Sequence, residues 1–126
     1  MAYIASCLCG AVSLTIEGEV RHVMHCHCSM CRKAHGSAFA SYGLVEKDKV
    51  RVEGEEYIQS FQSSKNTVRT FCRLCGSNIE WKDKSEFNEK YRSFSLGLLD
   101  SEFTPSSEEH IFESSTPNWC PTSKNK

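Results

Sequence analysis

The chain has 126 residues, enough for one domain with a real core, and its 15 basic and 16 acidic side chains leave a formal charge of −1. The two signs are interspersed, which excludes the basic stripe that binding to a phosphate backbone requires, so nucleic acid is not an expected partner. Apolar residues at 39% and charged residues at 25% are ordinary for a globular chain, and no window approaches the apolar length of a membrane span.

The opening residues, Met1 to Ser6, carry neither a basic n-region nor an apolar h-region, so a cytoplasmic protein is expected, with the nucleus left open. Eight cysteines then demand a choice between disulfides and metal. Their clustering in C-x-C and C-x2-C pairs, together with a reducing compartment, favours metal.

Cys7-Leu8-Cys9-Gly10 comes first. In an extended segment residues two apart project to the same face, so both sulfurs can reach one ion, and Gly10 permits the turn of such a chelate. From Ala11 to Glu17 apolar and polar residues alternate, with Val12, Leu14 and Ile16 on one side, which predicts a half-buried strand. Gly18-Glu19 is a turn, and a second strand from Val20 to His25 delivers the chain into Cys26-His27-Cys28-Ser29-Met30-Cys31. Ser29 is the expected N-cap of a short helix through Ala34, ended by Gly36.

Strands are expected from Ser37 to Leu44, around Val50 and Val52, and from Tyr57 to Phe61, with Gln62 to Asn66 as a polar loop. Thr67 to Phe71 leads into a second knuckle, Cys72-Arg73-Leu74-Cys75-Gly76. Ile79 to Trp81 and Tyr91 to Leu98 continue the strand pattern, Lys82 to Lys90 reads as a surface loop, and His110 to Phe112 is a last short strand. The expected fold is mainly β and antiparallel, with at most one or two short helices. It forms a single domain over residues 1–114, and residues 115–126 form a polar tail in which Cys120 reads as an exposed thiol.

If Cys7, Cys9, Cys72 and Cys75 together hold one ion, the trio Cys26, Cys28 and Cys31 is left with its own. Three protein ligands are one short of a closed tetrahedral zinc site, which is the composition of a catalytic rather than a structural centre. A fourth ligand from His25, His27, His35 or Cys120 would close it instead. His27, lying between two ligands of an extended segment, points away from the ion and is read as a packing group. Three thiolates make zinc electron-rich and a modest Lewis acid, better suited to an incoming thiol than to activating water for hydrolysis. Arg32 and Lys33 are candidates to offset that charge or grip substrate carboxylates; Gly36 and Ser37 are candidates to line the approach.

These motifs, Cys7-Leu8-Cys9-Gly10, Cys26-His27-Cys28-Ser29-Met30-Cys31-Arg32-Lys33 with Gly36-Ser37, and Phe71-Cys72-Arg73-Leu74-Cys75-Gly76-Ser77, with His110-Ile111-Phe112, Pro117 and Trp119 beyond them, resemble the glutathione-dependent formaldehyde-activating enzyme family. The centromere protein V branch belongs to the same family. The resemblance implies an Mss4-like β fold carrying two zinc ions. In that scheme Cys7, Cys9, Cys72 and Cys75 hold the structural ion, and Cys26, Cys28 and Cys31 hold the catalytic one. It also implies a carbon–sulfur lyase that adds glutathione to formaldehyde, giving S-hydroxymethylglutathione. Two other readings stand beside the enzyme: a non-catalytic, zinc-stabilised module that binds protein or chromatin, and a redox or zinc sensor built on the trio.

Overall fold

A computed structural model describes residues 2–120. Among the described residues ten strands form two sheets, several of them from runs in which apolar and polar residues alternate. β1 (Tyr3–Ser6), β2 (Ser13–Ile16) and β5 (Val50–Glu53) make a three-stranded antiparallel sheet. The other seven are β3 (His22–Cys26), β4 (Ala40–Glu46), β6 (Ile58–Ser64), β7 (Thr67–Cys72), β8 (Asn78–Asp83), β9 (Tyr91–Ser95) and β10 (Glu108–Ile111). They form one sheet in the order β10-β3-β4-β9-β8-β7-β6, antiparallel except where β10 lies parallel to β3.

Period two sets what each face of the large sheet does. Val23, Val45 and Phe94 point inward and pack with Ala5, Leu14 and Ile16 of the small sheet, the main apolar core. The opposite face carries Cys26, Tyr42 and Arg69. One cross-strand row runs through Leu44, Ser93, Trp81 and Arg69, and the next runs through Met24 and Tyr42, with Cys26 and its parallel partner Ile111 beyond. Residues far apart in the chain thus share a face because of strand register alone.

β4 lies between β3 and β9, is covered on both sides and is buried along most of its length. Gly43 sits where that crowding is tightest: a Cβ there would stand 2.6 Å from Phe94 Cε1. Gly43→Ala therefore forces the Phe94 ring out of the core. The expected loss is about 1–3 kcal/mol of stability, read as a lowered urea midpoint with an unchanged m-value.

Several local expectations shift. α1 spans Ser29–His35, but its N-cap is Cys28, whose sulfur accepts the Cys31 N–H at 3.3 Å; the sulfur serves the exposed amide as a hydroxyl would. β6 continues through Gln62 to Ser64, the polar stretch expected to be a loop, because an exposed edge strand needs no apolar residues to pair with β7. Its register shifts between Gln62 and Ser64, a bulge at Ser63. The supposed loop Lys82 to Lys90 holds the end of β8 and a helical turn, α2 (Phe87–Lys90). β9 ends at Ser95, and Leu96–Leu98 is a 3₁₀ turn. β1 was not foreseen, since Tyr3-Ile4-Ala5-Ser6 is too short to show a period. Cys120 is buried rather than exposed, its N–H donating to the Pro117 carbonyl; the remainder of the expected tail, residues 121–126, lies outside the described residues.

Candidate metal centres

Two knuckles meet to form the first cluster. Gly10 and Gly76 both take φ near +80° (+83° and +81°), turning the chain back on itself, and the Gly76 N–H donates to the Cys72 carbonyl. The Leu8 N–H donates to Ser77 Oγ at 3.0 Å and ties one knuckle to the other. The sulfurs of Cys7, Cys9, Cys72 and Cys75 all lie within 4.8 Å of one another. Cys7 and Cys72 are buried against Val12 and Ile79, so the cluster plugs its own small apolar core. Hydrogen bonds from the Ser77 side chain and backbone pull the Cys75 thiol down to about 5, so that this group is a thiolate at neutral pH.

The second cluster sits where β3 runs into α1. Cys26 ends the strand, Cys28 caps the helix and Cys31 lies in its first turn, and their sulfurs lie within 4.8 Å of one another. Among the described residues no histidine, carboxylate or further cysteine joins them. Each histidine offered as a fourth ligand is engaged elsewhere. His25 bonds Ser41 Oγ and Glu108; His27 Nε2 bonds His110 Nδ1 at 2.7 Å; His35 Nε2 bonds the Tyr42 hydroxyl at 3.2 Å. His27 is buried on the far side of the strand against Phe39 and His110, the packing role that the alternation of β3 predicts.

The surroundings of Cys31 were not visible in the motif. Hydrogen bonding with Cys26 comes first among the influences that bring its thiol down to about 4, followed by Arg69 and Tyr42, which together outweigh burial. Arg69 is only 6% exposed. It donates through Nη2 to Cys31 Sγ at 3.5 Å, through Nη1 to the Tyr42 hydroxyl at 3.0 Å and through Nε to Ser63 Oγ at 3.2 Å. The bulge in β6 is thus what holds this guanidinium in place. Burial, and then the neighbouring Cys31 charge, raise the Tyr42 phenol well above its ordinary value, so it stays a neutral O–H.

Both clusters fit zinc by the chemistry of their donors. Soft sulfurs are gathered in sets of four and three, and in each a depressed thiol shows that negative charge is stable there. Over the trio opens a cavity of about 540 Å³, floored by Cys26, Cys28, Cys31, Tyr42 and Arg69. A second groove of about 630 Å³ shares Met30 and Arg69 with it and is lined by Lys33, Gln59, Ser60 and Asn78. Lys33 therefore faces this groove. Arg32 reaches the Ser115 carbonyl at 3.4 Å, Gly36 ends α1 at φ +61°, and Ser37 Oγ donates to the Phe39 carbonyl.

Comparison with known proteins agrees with these motifs. A protein of Halomonas elongata, provisionally named a glutathione-dependent formaldehyde-activating enzyme, is 28% identical over 90% of this chain and 76% of its own. An uncharacterized lyase of Schizosaccharomyces pombe is 31% identical over 61% of this chain. A Colletotrichum graminicola protein, with the same provisional name as the Halomonas one, is 32% identical over 58% of this chain. The matches span 55% and 39% of these two fungal proteins. A crystal structure of a Rhodobacter sphaeroides protein shares the fold, with a TM-score of 0.63 at 22% identity over 84% of this chain and 99% of that one. The model of one family matches residues 2–115. With its cysteine pairs in the order and spacing described, this chain belongs to the glutathione-dependent formaldehyde-activating enzyme family.

Proposed function

We propose that the protein is a zinc-dependent carbon–sulfur lyase that joins a thiol, glutathione, to an aldehyde, or runs the reverse. The observation that carries this reading is the trio itself: three sulfurs, no fourth protein ligand among the described residues, a cavity directly above and two buried donors beside them. Cys26, Cys28 and Cys31 would hold the catalytic ion, and Cys7, Cys9, Cys72 and Cys75 the structural one. Zinc in the trio, when bound, supplies a cationic centre that favours the deprotonated form of an incoming thiol.

The chain's own residues do the rest. Addition forms a bond from sulfur to the carbonyl carbon and moves the π pair onto oxygen, which then takes up the proton that the thiol released. Arg69 and Tyr42 are the donors that meet the developing alkoxide: the guanidinium offers charge, and the phenol, kept protonated by burial, offers a proton. His35, held neutral by burial and bonded to the Tyr42 hydroxyl, is placed to take up the proton that the thiol releases and pass it back to the phenol. The two adjoining cavities hold the reactants together, which replaces much of the entropy cost of a bimolecular step. Lys33, in the adjoining groove, receives a carboxylate of the thiol, with Arg32, Gly36 and Ser37 shaping the helix that carries it. A cytoplasmic site of action accords with so many thiols kept reduced.

The purified protein should accelerate formation of S-hydroxymethylglutathione, and Cys28→Ser should return the rate to the uncatalysed one while zinc falls by one equivalent per chain. A variant that retains both the rate and the zinc would contradict the proposal.

A further inference from the structure

The cavity over the trio is far too large and too apolar for formaldehyde. Formaldehyde is scarcely bigger than a water molecule, whose share of liquid volume is about 30 Å³. The cavity measures about 540 Å³, within the range of pockets that enclose a whole organic ligand. Its walls are Met24, Met30, Trp81, Phe87, Ile111 and Phe112. Three of these, Met30, Phe87 and Phe112, leave 41%, 42% and 63% of their surface exposed around the cavity, an uncovered apolar rim.

Charged groups inside are few and already committed. Arg69 is bonded to Cys31, Tyr42 and Ser63, and the Asp83 carboxylate accepts from the Ser85 N–H and hydroxyl. Glutathione, with two carboxylates and an ammonium, finds no spare cation here; Lys33 lies in the neighbouring groove. Ser93, one of the lining residues, is 1% exposed and its buried Oγ has no hydrogen-bond partner, and Thr67 and Trp81 add a hydroxyl and an indole N–H to the lining. A few polar groups of this kind in an apolar wall suit the orienting of a ligand.

The backbone adds a separate sign. Phe112 has φ of +56° and, among the described residues, is the one non-glycine in the left-handed region. Such a conformation is strained and persists where surrounding structure imposes it, commonly at ligand-binding sites. Here the strained residue is one that lines the cavity.

We propose that the aldehyde partner of this lyase is aromatic, its ring held in the apolar cavity and its carbonyl at the Cys31–Tyr42–Arg69 floor, while the thiol's polar body occupies the Lys33 groove. The inference rests on the lyase reading and names its substrate class. The reaction balances as a simple addition: the thiol sulfur bonds the aldehyde carbon, the carbonyl oxygen gains the thiol's proton, and the product is a hemithioacetal.

Two measurements test it. Calorimetry with benzyl alcohol, an unreactive stand-in for the ring, should show binding at submillimolar concentration, about tenfold weaker in Phe112→Asp and in Phe87→Asp, each of which removes one aromatic wall from a different segment. Kinetics with glutathione should give a kcat/KM for benzaldehyde at least tenfold above that for formaldehyde, the ratio collapsing in the same variants and returning in Phe112→Leu. Turnover of formaldehyde without benzaldehyde, or no benzyl alcohol binding at millimolar concentration, overturns the aromatic substrate and leaves the lyase reading intact. Benzyl alcohol binding with neither aldehyde turned over overturns the lyase reading, and this inference with it.

Discussion

Replacing Cys72 with serine unfolds the protein. Cys72 is fully buried, its sulfur lies 3.7 Å from that of Cys9, and it packs with Cys7, Val12 and Ile79. It ends β7, so the cluster ties the large sheet to the loop that follows β1 in the small one. Structural zinc contributes on the order of 10–16 kcal/mol in small zinc-binding units, while a whole domain is stable by only about 5–15 kcal/mol. If the four thiols hold zinc, losing one of them gives up a share of that energy comparable with the whole reserve of the domain. Far-UV circular dichroism of Cys72→Ser should show no cooperative melt, and a chelator strong enough to strip the wild-type protein should produce the same state. A variant melting within a few degrees of wild type would show that the four thiols do not carry the fold.

Arg69→Lys keeps the charge and loses the activity. The guanidinium makes three bonds at fixed angles, to Cys31, Tyr42 and Ser63, and an ammonium on a flexible stem cannot reproduce that fork. If Arg69 meets the alkoxide, its loss weakens the transition state and not the ground state, so kcat and kcat/KM should fall together by about 10²–10³ with KM little changed. Zinc content should stay at the wild-type value, because Arg69 bonds the Cys31 sulfur and is not among the proposed ligands. A rise in KM at constant kcat would instead place Arg69 in substrate binding alone.

The two cysteine clusters were legible because their pattern is local. A C-x-C pair on a strand, or a C-x2-C pair at a glycine-bearing knuckle, announces itself within a few residues, while counting alone left a histidine or Cys120 open as a fourth partner of the trio. The strands were legible where a buried face alternates with an exposed one, as from Val12 to Ile16, and illegible where that contrast fails. The end of β6, Gln62 to Ser64, is polar along an exposed edge, and so was taken for a loop; yet its bulge supplies the Ser63 hydroxyl that steadies Arg69.

Arg69 itself shows the deeper limit. In the run Thr67 to Phe71 an arginine at an alternating position reads as a solvent-facing residue, and only the register of β7, β8, β9 and β4 brings it onto the face that carries Tyr42 and the trio. The cavity wall was hidden for the same reason. Phe87 lies in a charged stretch without period, and Trp81, Ser93 and Phe112 come together through sheet order, which no short window of sequence contains.

Cobalt substitution tests the division of the seven thiols most directly. Fully cobalt-loaded protein should hold two equivalents per chain, one for each cluster, and titration with glutathione should change the visible absorption of one of them while the other stays as it was. In Cys28→Ser the responsive equivalent should disappear and the silent one remain. Two cobalt ions indifferent to glutathione, or a single ion bound by the four-cysteine cluster with the trio empty in every preparation, would contradict the account.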